Sequence, residues 1–521
     1  MTEVLTAGQM RAIEEAAMAA GRVTGIELME RAGAGVVAAM LDWSPALAEG
    51  ARRAVVLCGP GNNGGDGFVI ARLLRERGWG IDLYLYGDPD RLPPDAMANM
   101  LRWRTLGSVH PLEGQLALPE APAVTVDALF GGGLSRPLSG DLREAVVNGL
   151  FREIDPGLIV AVDAPSGLCL DSGRVLGAEV VHRPEADLTV TFQWPRIGHY
   201  LADGPDCCGA LRVVDIGLGA AAGPAAALAR LAEDAPEARA ALGKGAGAHK
   251  YDHGHALVLA GGVGRGGAAR LAARGALRVG AGLVTLGCPA GALIENACRL
   301  DAVMLAPVAD VEALEAEIAA RKLRAVCIGP GFGFGERLEA FVAALLARGA
   351  DAGPAVVLDA DALSAYRDDP DALFARTHAG CVLTPHEGEF GRLFPDLLAR
   401  LDAPAAAGPA YSKLDAAREA AARAGCTVLF KGADTVVAAP DGRAVIAAAA
   451  YETAAPWLAT AGSGDVLAGF ITGLLARGLA PLDAAATGAW LHAAAARRFG
   501  PGLIAEDLPD ALPGVFRDLG L

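Results

Sequence analysis

The 521-residue chain is poor in lysine and has no long apolar run, and each shortage excludes a class of partner. No apolar segment approaches the ~20 residues that a membrane-spanning helix requires, so no membrane span is expected. The five lysines are scattered and no run of basic residues occurs, while the formal net charge is −16. Such a surface repels polyanions, so we expect neither nucleic acid nor an anionic membrane as a partner.

Cysteine usage indicates a reducing compartment. The nine cysteines are odd in number and scattered, and the close pair Cys207 and Cys208 is adjacent in sequence, so it cannot form an ordinary disulfide. The first 21 residues contain Glu3, Glu14 and Glu15, and they lack the basic segment followed by an apolar core that marks a signal peptide. We therefore expect a soluble protein of the cytoplasm.

The length and the apolar pattern predict two domains. A chain of 521 residues exceeds what one core normally supports. In each half, short runs that are apolar on both faces alternate with helix-length segments, as in parallel sheets covered by helices on two sides. Residues 219–242 are instead rich in alanine and proline. We predict an α/β protein with a Rossmann-like three-layer domain in residues 1–220, a linker in residues 221–242 and a second α/β domain in residues 243–521.

A glycine-rich loop follows the first strand pattern of the N-terminal half. Its glycines free the backbone to wrap an anion, and its asparagines and aspartate add directed polar contacts. Taken alone, the segment could also be an Asn-Gly turn with an aspartate N-cap. Two further loops, after Asp127 and at Asp163, fall at strand ends, where ligands of such sheets collect. The first loop contains Asn62, Asn63, Gly64, Gly65 and Asp66, and the loop after Asp127 contains Gly131, Gly132, Gly133, Leu134, Ser135, Arg136 and Pro137.

A second glycine loop of different design opens a helical pattern near the end of the chain. Gly462, Ser463 and Gly464 let the backbone approach a terminal phosphoryl group, whose developing charge the N–H dipoles would stabilise. Asp465 follows directly and is the candidate base that accepts a proton from an attacking hydroxyl. A helix cap with a glycine turn is the alternative. The Gly-x-Gly-Asp order also resembles the anion hole of ribokinase-like kinases.

Other segments of the C-terminal half also stand at strand ends. The lysine, glycine and threonine of one segment suit a nucleotide phosphate, although a surface turn is the alternative. His386 lies at a further strand end, where we favour ligand contact over a simple loop residue, and Gly333 belongs to a third strand-end glycine loop. Residues 262–267 match G-x-G-x-x-G, but the next strand pattern ends without the acidic residue that holds ribose hydroxyls, so we do not interpret them as a dinucleotide fingerprint. The phosphate segment consists of Lys431, Gly432, Ala433, Asp434 and Thr435.

The N-terminal motifs closely resemble the NAD(P)H-hydrate epimerase family. The resemblance rests on residues 62–66, on Asp127 with the glycine loop behind it, and on residues 162–167. It implies that residues 62–66, residues 131–137 and Asp163 bind the hydrated nucleotide. It further implies a potassium ion on Asn63, Asp127 and Ser166, whose oxygen donors suit a hard cation. Asp163 is the candidate acid–base residue.

The C-terminal motifs resemble the NAD(P)H-hydrate dehydratase family of ribokinase-like fold, and the domain order resembles the bifunctional hydrate-repair enzymes of bacteria. The resemblance implies that Ala268, Gly333, His386 and Asp465 contact the hydrate. It assigns the nucleotide cosubstrate, ADP with Mg²⁺, to residues 431–435 and Gly464. A homo-oligomer is expected from the same resemblance.

The function that we predict is repair of hydrated NADH and NADPH, called NADHX and NADPHX. The N-terminal domain would interconvert the R and S hydrates, and the C-terminal domain would dehydrate the S hydrate at the expense of ADP, giving AMP and phosphate. One alternative is a ribokinase-like small-molecule kinase with a regulatory nucleotide-binding N-terminal domain. A second is an N-terminal module that binds a nucleotide or a partner without catalysis.

Overall fold

A computed structural model describes residues 2–49, 52–113, 121–138, 140–143, 155, 157–177, 183–219, 229–233 and 236–521. The chain divides into two compact units. The N-terminal unit comprises Glu3–Leu228 and Ala403–Ser412, and the C-terminal unit comprises Met1–Thr2, Ala229–Asp402 and Lys413–Leu521. Residues 221–228 and 234–235 of the predicted linker lie outside the described residues.

The N-terminal unit is built on a parallel sheet of Rossmann-like strand order. The unit contains the short strand β1 (Glu3–Val4), which is not part of this sheet, and the seven strands that form the sheet, β2 (Arg53–Cys58), β3 (Gly80–Leu85), β4 (His110–Pro111), β5 (Val124–Ala128), β6 (Leu158–Val162), β7 (Leu188–Phe192) and β8 (Ala210–Val214). Its helices are α1 (Ala7–Ala19), α2 (Gly25–Trp43), α3 (Asn62–Glu76), α4 (Pro94–Arg104), α5 (Gly140–Arg143) and α6 (Gly204–Cys208). The sheet order is β4-β3-β2-β5-β6-β7-β8, and every pairing is parallel.

The sequences of these strands are continuous apolar runs because the strands are buried. Every residue of β5 and of β7 is buried, as expected for a sheet that is covered on both faces. The order changes direction at β2, which pairs with β3 on one side and with β5 on the other. The crevice beyond the carboxyl ends of β2 and β5 is therefore the topological switch point, where such sheets bind ligands.

The C-terminal unit has a larger, mixed sheet. Its strands are β9 (Ala229–Leu231), β10 (His255–Leu259), β11 (Leu283–Cys288), β12 (Met304–Pro307), β13 (Ala325–Ile328), β14 (Ala355–Leu358), β15 (Cys381–Leu383), β16 (Thr427–Phe430), β17 (Asp434–Ala438) and β18 (Ala444–Ala448). Within the unit their order is β9-β18-β17-β16-β15-β14-β13-β10-β11-β12. The strands from β10 to β16 pair in parallel, whereas β16, β17 and β18 form an antiparallel meander, in which a turn at Pro440 to Gly442 joins β17 to β18.

Fourteen described helices belong to this unit, and one of them, α18, carries the second glycine loop at its start. Residues Val466 to Ala476 of α18 are all buried, so this helix is apolar on every side and lies in the core. It packs on α8 so closely that a Cβ at Gly469 would lie 2.1 Å from the Ala272 carbonyl oxygen. The helices are α7 (Pro236–Leu242), α8 (Gly267–Arg278), α9 (Leu293–Ala297), α10 (Val311–Arg321), α11 (Glu336–Leu346), α12 (Gly349–Ala352), α13 (Asp361–Ser364), α14 (Pro370–Phe374), α15 (Glu387–Leu393), α16 (Pro395–Asp402), α17 (Lys413–Ala424), α18 (Ser463–Ala476), α19 (Pro481–Phe499) and α20 (Asp507–Asp518).

The segment Ala403–Ser412 departs from the contiguous domains that the sequence predicts, because it belongs to the N-terminal unit. Ala405 and Ala410 are buried there against Cys169 and Leu176. The Gly177 N–H donates to the Ala405 carbonyl at 3.0 Å. Small apolar side chains and backbone hydrogen bonds therefore hold the segment, and neither leaves a recognisable sequence pattern.

Candidate functional site

The predicted N-terminal site residues meet at the switch point of the first sheet. The loop residues 62–66 form the first turn of α3, directly after β2, so their N–H groups lie at a helix N-terminus. Asp127 is the fourth residue of β5, residues 131–137 follow that strand, and Asp163 follows β6. The carboxyl ends of β2, β5 and β6 thus bring the three predicted loops to one edge of the sheet.

Asp163 is the most constrained residue of this site. Its φ of 64° lies in the left-handed region, where a residue other than glycine is strained. Its carboxylate accepts hydrogen bonds from the Gly132 N–H at 2.8 Å and from the Thr191 hydroxyl at 2.8 Å. A Cβ at Gly131 would lie 2.8 Å from the Asp163 Oδ2 atom, so only glycine fits beside the carboxylate. The loop after β5 and Asp163 therefore form one rigid group.

Two residues that the sequence analysis did not single out hold Asp163. Arg196 is 3% exposed, and its Nη2 atom lies 3.5 Å from the Asp163 Oδ1 atom. Burial opposes ionisation of Asp163, but the Arg196 guanidinium and the hydrogen bonds outweigh it and hold the pKa of Asp163 below its ordinary value. The buried ring of His199 accepts the Arg196 N–H at Nδ1, at 2.9 Å, and its Nε2 atom is 2.9 Å from the Asp163 carbonyl. Asp163 is thus an ionised carboxylate in a preorganised frame.

The three predicted potassium ligands fit a cation. The Ser166 hydroxyl donates to the Asp127 Oδ1 atom at 2.6 Å, and the Ser166 N–H donates to Oδ2 at 2.8 Å. Burial nevertheless raises the pKa of Asp127, because these hydrogen bonds only partly compensate for lost hydration. The Asn63 amide carries an oxygen at the start of α3, at the same edge of the sheet. A buried carboxylate, a hydroxyl and an amide oxygen are donors that suit a hard cation.

The remaining N-terminal residues divide by exposure. Asp66 is buried, and burial raises its pKa well above the ordinary value, with the charges of Asp163 and Glu14 adding to the shift. Gly133, Ser135 and Arg136 are exposed. The Ser135 carbonyl accepts the N–H of Gly408 at 3.0 Å, so part of the loop is held by the segment Ala403–Ser412. Leu134 contacts the apolar cluster around the same segment, and Pro137 is partly buried.

In the C-terminal unit, Lys431 is held by carboxylates that the sequence analysis did not assign. Asp359, directly after β14, is 2% exposed and accepts the Lys431 ammonium at 2.9 Å and the Thr384 hydroxyl at 2.7 Å. The Glu389 carboxylate lies 3.7 Å from the same ammonium. Burial alone would lower the pKa of Lys431, but Asp359 and Glu389 outweigh it and raise the pKa. The adjacent strands β14, β15 and β16 thus bring one buried cation and two buried anions together.

Asp465 lies in the first turn of α18 beside this network. Burial and, to a smaller extent, the negative charge of Asp359 raise its pKa to about 7, while Lys431 acts in the opposite direction. The α18 N-cap, Gly462, has a φ of 87°, so the chain enters the helix in the left-handed region that glycine favours. Asp465 therefore changes protonation near neutral pH, as a general base must.

A cavity of about 560 Å³ adjoins Lys431 and the start of α18, within the size range of small-molecule sites. Its wall is mainly apolar, formed by alanine, proline and leucine side chains, with Thr435, Ser463 and His492 as polar members. The pKa of His492 is lowered to about 4 by burial, so the ring is neutral at pH 7. The cavity brings together five of the residues predicted to bind the nucleotide cosubstrate, which are Lys431, Gly432, Ala433, Thr435 and Gly464.

The other predicted C-terminal residues have different surroundings. Asp434 lies outside the cavity lining, and its carboxylate binds the Lys413 ammonium at 2.6 Å. His386 is the N-cap of α15 and accepts the Gly388 N–H at 3.0 Å, while its side chain remains 54% exposed. The Gly333 N–H donates to the Asp361 carboxylate at 2.8 Å. Ala268 lies next to this loop, since a Cβ at Gly331 would be 3.4 Å from the Ala268 Cβ.

The fold and the two sites define a class of protein, an α/β enzyme with two separate reaction centres for nucleotide-like ligands. Each centre joins a glycine loop at a helix start to a buried carboxylate. The family model described as NAD(P)H-hydrate dehydratase matches residues 256–512, and the one described as YjeF-related protein N-terminus matches residues 25–198. These matches cover both halves of the chain.

Similar proteins extend the comparison over the whole sequence. The bifunctional NAD(P)H-hydrate repair enzyme Nnr of Salinibacter ruber is 36% identical over 551 residues, covering 98% of this chain and 96% of that relative. The NAD(P)H-hydrate epimerase of Rhodobacter capsulatus is 49% identical over 204 residues, covering 38% of this chain and 92% of that relative. A solved ADP/ATP-dependent NAD(P)H-hydrate dehydratase of Bacillus subtilis is 28% identical with a TM-score of 0.46, covering 56% of this chain and 99% of that one.

The chain belongs to the family of bifunctional NAD(P)H-hydrate repair enzymes. The predicted fold class is confirmed, with a Rossmann-like N-terminal unit and a ribokinase-like C-terminal unit. The full-length similarity favours hydrate repair over a small-molecule kinase with a regulatory N-terminal domain. None of the helices in the described part of the chain is long and apolar enough to cross a membrane.

Proposed function

We propose that this protein repairs hydrated NADH and NADPH in two steps. The N-terminal unit interconverts the R and S hydrates, and the C-terminal unit dehydrates the S hydrate with ADP as phosphoryl donor, releasing AMP and phosphate. The observation that carries the proposal is the presence of two separate carboxylate centres, Asp163 and Asp465, in a chain that is similar over its length to a bifunctional repair enzyme. A dehydratase site that accepts one epimer would leave the other unrepaired, so the epimerase activity complements the dehydratase activity.

In the dehydration, Asp465 removes the proton of the substrate hydroxyl. The hydroxyl oxygen then attacks the terminal phosphoryl group, and phosphate, a far better leaving group than hydroxide, departs with the C–O bonding pair. Gly464 and the other N–H groups at the start of α18 stabilise the charge that develops on the phosphoryl oxygens. The Lys431 ammonium turns from Asp359 towards the phosphate when the nucleotide binds. Ala268, Gly333 and His386 contact the hydrate in this proposal, and residues 431–435 bind the nucleotide.

Two cations belong to the proposal. Potassium, held by Asn63, Asp127 and Ser166, would neutralise the buried carboxylate and order the loops around residues 62–66 and 131–137. Magnesium would enter with the phosphates of ADP and offset their charge, and Mg²⁺ typically needs only one or two protein carboxylates for this. Asp359 and Glu389 suit that role, because they already hold a cation, the Lys431 ammonium.

The assignment of each activity to one part of the chain is also a proposal, with epimerisation in residues 1–220 and dehydration in residues 243–521, joined by a linker. The enzyme would act in the cytoplasm, whose reducing conditions agree with nine free thiols. A homo-oligomer is proposed from the family resemblance alone.

The test follows the recovery of reduced-nicotinamide absorbance from a mixture of both hydrate epimers, with ADP, with ATP or with neither. Complete ADP-dependent recovery, faster than the epimers interconvert in buffer, is expected if both activities are present. Recovery that stops near the amount of one epimer would contradict the epimerase. Recovery with ATP alone would correct the donor, and a stable phosphorylated product would instead indicate the small-molecule kinase.

A further inference from the structure

Helix α1 runs along the glycine loop after β5 and presents one face to Asp163. A Cβ at Gly132 would lie 3.2 Å from the Ala7 Cβ and 3.3 Å from the Asp163 Oδ2 atom. A Cβ at Gly133 would lie 3.7 Å from the Arg11 Nη2 atom. Ala7 and Arg11 are four residues apart and share a helix face, and Glu14 is the next residue of that face, three positions further on.

Hydrogen bonds fix the start of α1 and thereby the orientation of this helix face. Thr6 and Gln9 form a reciprocal capping box, and the Ala7 N–H donates to the Asp171 carboxylate at 2.7 Å. The adjacent face of α1 buries Met10, Ile13 and Ala17 in the core of the N-terminal unit. Glu14 is therefore held, half-buried, between the core and the loop that borders Asp163.

The pKa values of Glu14 and Asp163 are shifted in opposite directions, although Arg196 interacts with both side chains. The pKa of Glu14 is raised to about 7, chiefly by burial; Arg196 lowers it, Asp163 raises it, and Arg11 and Glu15 contribute less. Asp66 also interacts electrostatically with Glu14 and Asp163. Arg196 pairs with Asp163 and is committed to the carbonyls of Phe192 and Trp194 as well. At neutral pH the site thus contains an ionised carboxylate and a carboxyl group that still carries its proton in a large fraction of molecules.

We infer that Glu14 is the second acid–base residue of the epimerase site and acts on the opposite face of the substrate ring from Asp163. The inference rests on the proposed epimerase function. Glu14 donates its proton to the hydroxyl of the hydrated ring carbon while the C–O bond breaks, and the bonding pair leaves with the oxygen as water. The lone pair of the adjacent ring nitrogen forms a C=N bond, whose positive charge the Asp163 carboxylate stabilises.

Epimerisation is completed from the other face. A water molecule adds to the same carbon, the C=N pair returns to nitrogen, and the proton of that water passes to Asp163. The two carboxyl groups then exchange protons with solvent, and the reverse reaction uses them in exchanged roles. No oxidant or reductant is needed. Two groups whose surroundings separate their pKa values are what a reaction of this kind requires.

The test uses the full chain without ADP, so that dehydration does not consume the hydrate. Interconversion of one isolated epimer is followed by chromatography from pH 5.5 to 9, with the rate in buffer subtracted. We expect the wild-type rate to fall above about pH 7, as Glu14 loses its proton. Glu14→Gln should be at least ~30-fold slower and lack that dependence, within the usual range for loss of an acid–base group. Glu14→Asp should regain part of the rate and keep the pH dependence.

Glu15→Gln is the matched control, since Glu15 is the exposed neighbour on the same helix. ADP-dependent dehydration of the S hydrate and far-UV circular dichroism verify that each variant is folded. A Glu14→Gln enzyme with the wild-type rate, or a slow one that keeps the wild-type pH dependence, would overturn the inference. A wild-type enzyme no faster than buffer would instead remove the epimerase function, and this inference with it.

Discussion

Each of the two centres contains an aspartate, and the surroundings shift the pKa values of these two aspartates in opposite directions. Asp163 is buried beside the guanidinium of Arg196, which keeps its pKa below the ordinary value. Asp465 is partly buried, and burial together with the negative charge of Asp359 raises its pKa to about 7 against the opposing effect of Lys431. Burial thus opposes the ionisation of both carboxylates, and the neighbouring charges decide whether that effect is overcome.

The difference matches the two reactions. In the proposed epimerisation the ring becomes positively charged, and Asp163, ionised at that stage, stabilises this charge. Dehydration needs a base that takes up a proton and is regenerated in each turnover, which a pKa near neutrality favours. The neighbouring residues therefore determine which chemical role each aspartate has. The most informative experiments alter one centre and use the activity of the other as an internal control.

The largest effect is expected for Asp465→Asn. Asparagine keeps the shape of the side chain but cannot accept the hydroxyl proton, so ADP-dependent recovery should fall by about 10³-fold, within the usual range for general-base loss. Epimer interconversion should be unchanged. Asp483→Asn, an exposed first-turn aspartate of α19, is the control. Substantial recovery by Asp465→Asn would show that another group is the base.

Asp163→Asn should do the reverse. We expect epimer interconversion to fall by about 10²-fold while dehydration of the S hydrate continues, so a mixed substrate should be recovered only up to the amount of one epimer. Asparagine tolerates the left-handed φ of 64°, so the substitution preserves the backbone conformation. A variant that still interconverts epimers at the wild-type rate would contradict the assignment of Asp163.

The pH dependences of the two activities should run in opposite directions. Dehydration requires ionised Asp465, so its kcat/KM should fall as the pH drops below about 7. In Asp359→Asn the like charge is gone, so the pKa of Asp465 should fall and the acid limb of the profile should shift to lower pH, while the maximal activity drops because a proposed magnesium-binding carboxylate is lost. The measurement is a pH profile of wild type and variant at saturating ADP. An unshifted profile would contradict the coupling of Asp359 to Asp465.

The sequence predicts the parts of the site that lie directly after strands. Asp163 and the first glycine loop were found because an apolar run ends in a polar or glycine-rich segment, and the parallel sheet brings such ends together. Asp359 carries the same signal, as it follows the buried run of β14, and it could have been recognised on that ground. The contact of Asp359 with Lys431, at 2.9 Å, could not have been predicted, because 72 residues separate the two in sequence.

Arg196 and Glu14 carry no comparable signal. Arg196 lies in an irregular segment after β7, in a chain with abundant arginine, and only burial distinguishes it from a surface residue. Glu14 belongs to an ordinary amphipathic helix, and its importance depends on which face that helix turns towards Asp163. The segment Ala403–Ser412 is harder still, since no local pattern indicates that it packs with Cys169 and Leu176. Tertiary proximity, not local propensity, decides these cases.

Replacing potassium should lower the epimerase activity alone, and by less than the aspartate substitutions do. The buried carboxylate of Asp127 would lose its counter-ion in a buffer of a bulky organic cation such as choline. We expect epimer interconversion to decrease several-fold and to return on addition of KCl, and Asp127→Asn should abolish this response. Dehydration of the S hydrate, measured in the same buffers at constant ADP and Mg²⁺, is the control. Equal sensitivity of both activities would contradict a potassium site in the N-terminal unit.

Smaller effects than those of the Asp465 and Asp163 substitutions are expected at two matched threonines. Thr191 donates to Asp163 at 2.8 Å, and Thr384 donates to Asp359 at 2.7 Å, both from buried positions. Valine preserves the branched shape and removes the hydroxyl, and a hydrogen bond to a charged group contributes about 1.5–3 kcal/mol. Thr191→Val should therefore slow epimerisation about 10-fold without affecting dehydration, and Thr384→Val should slow only dehydration. If either variant lowers both activities equally, a loss of overall stability is the cause, which a thermal unfolding measurement would reveal.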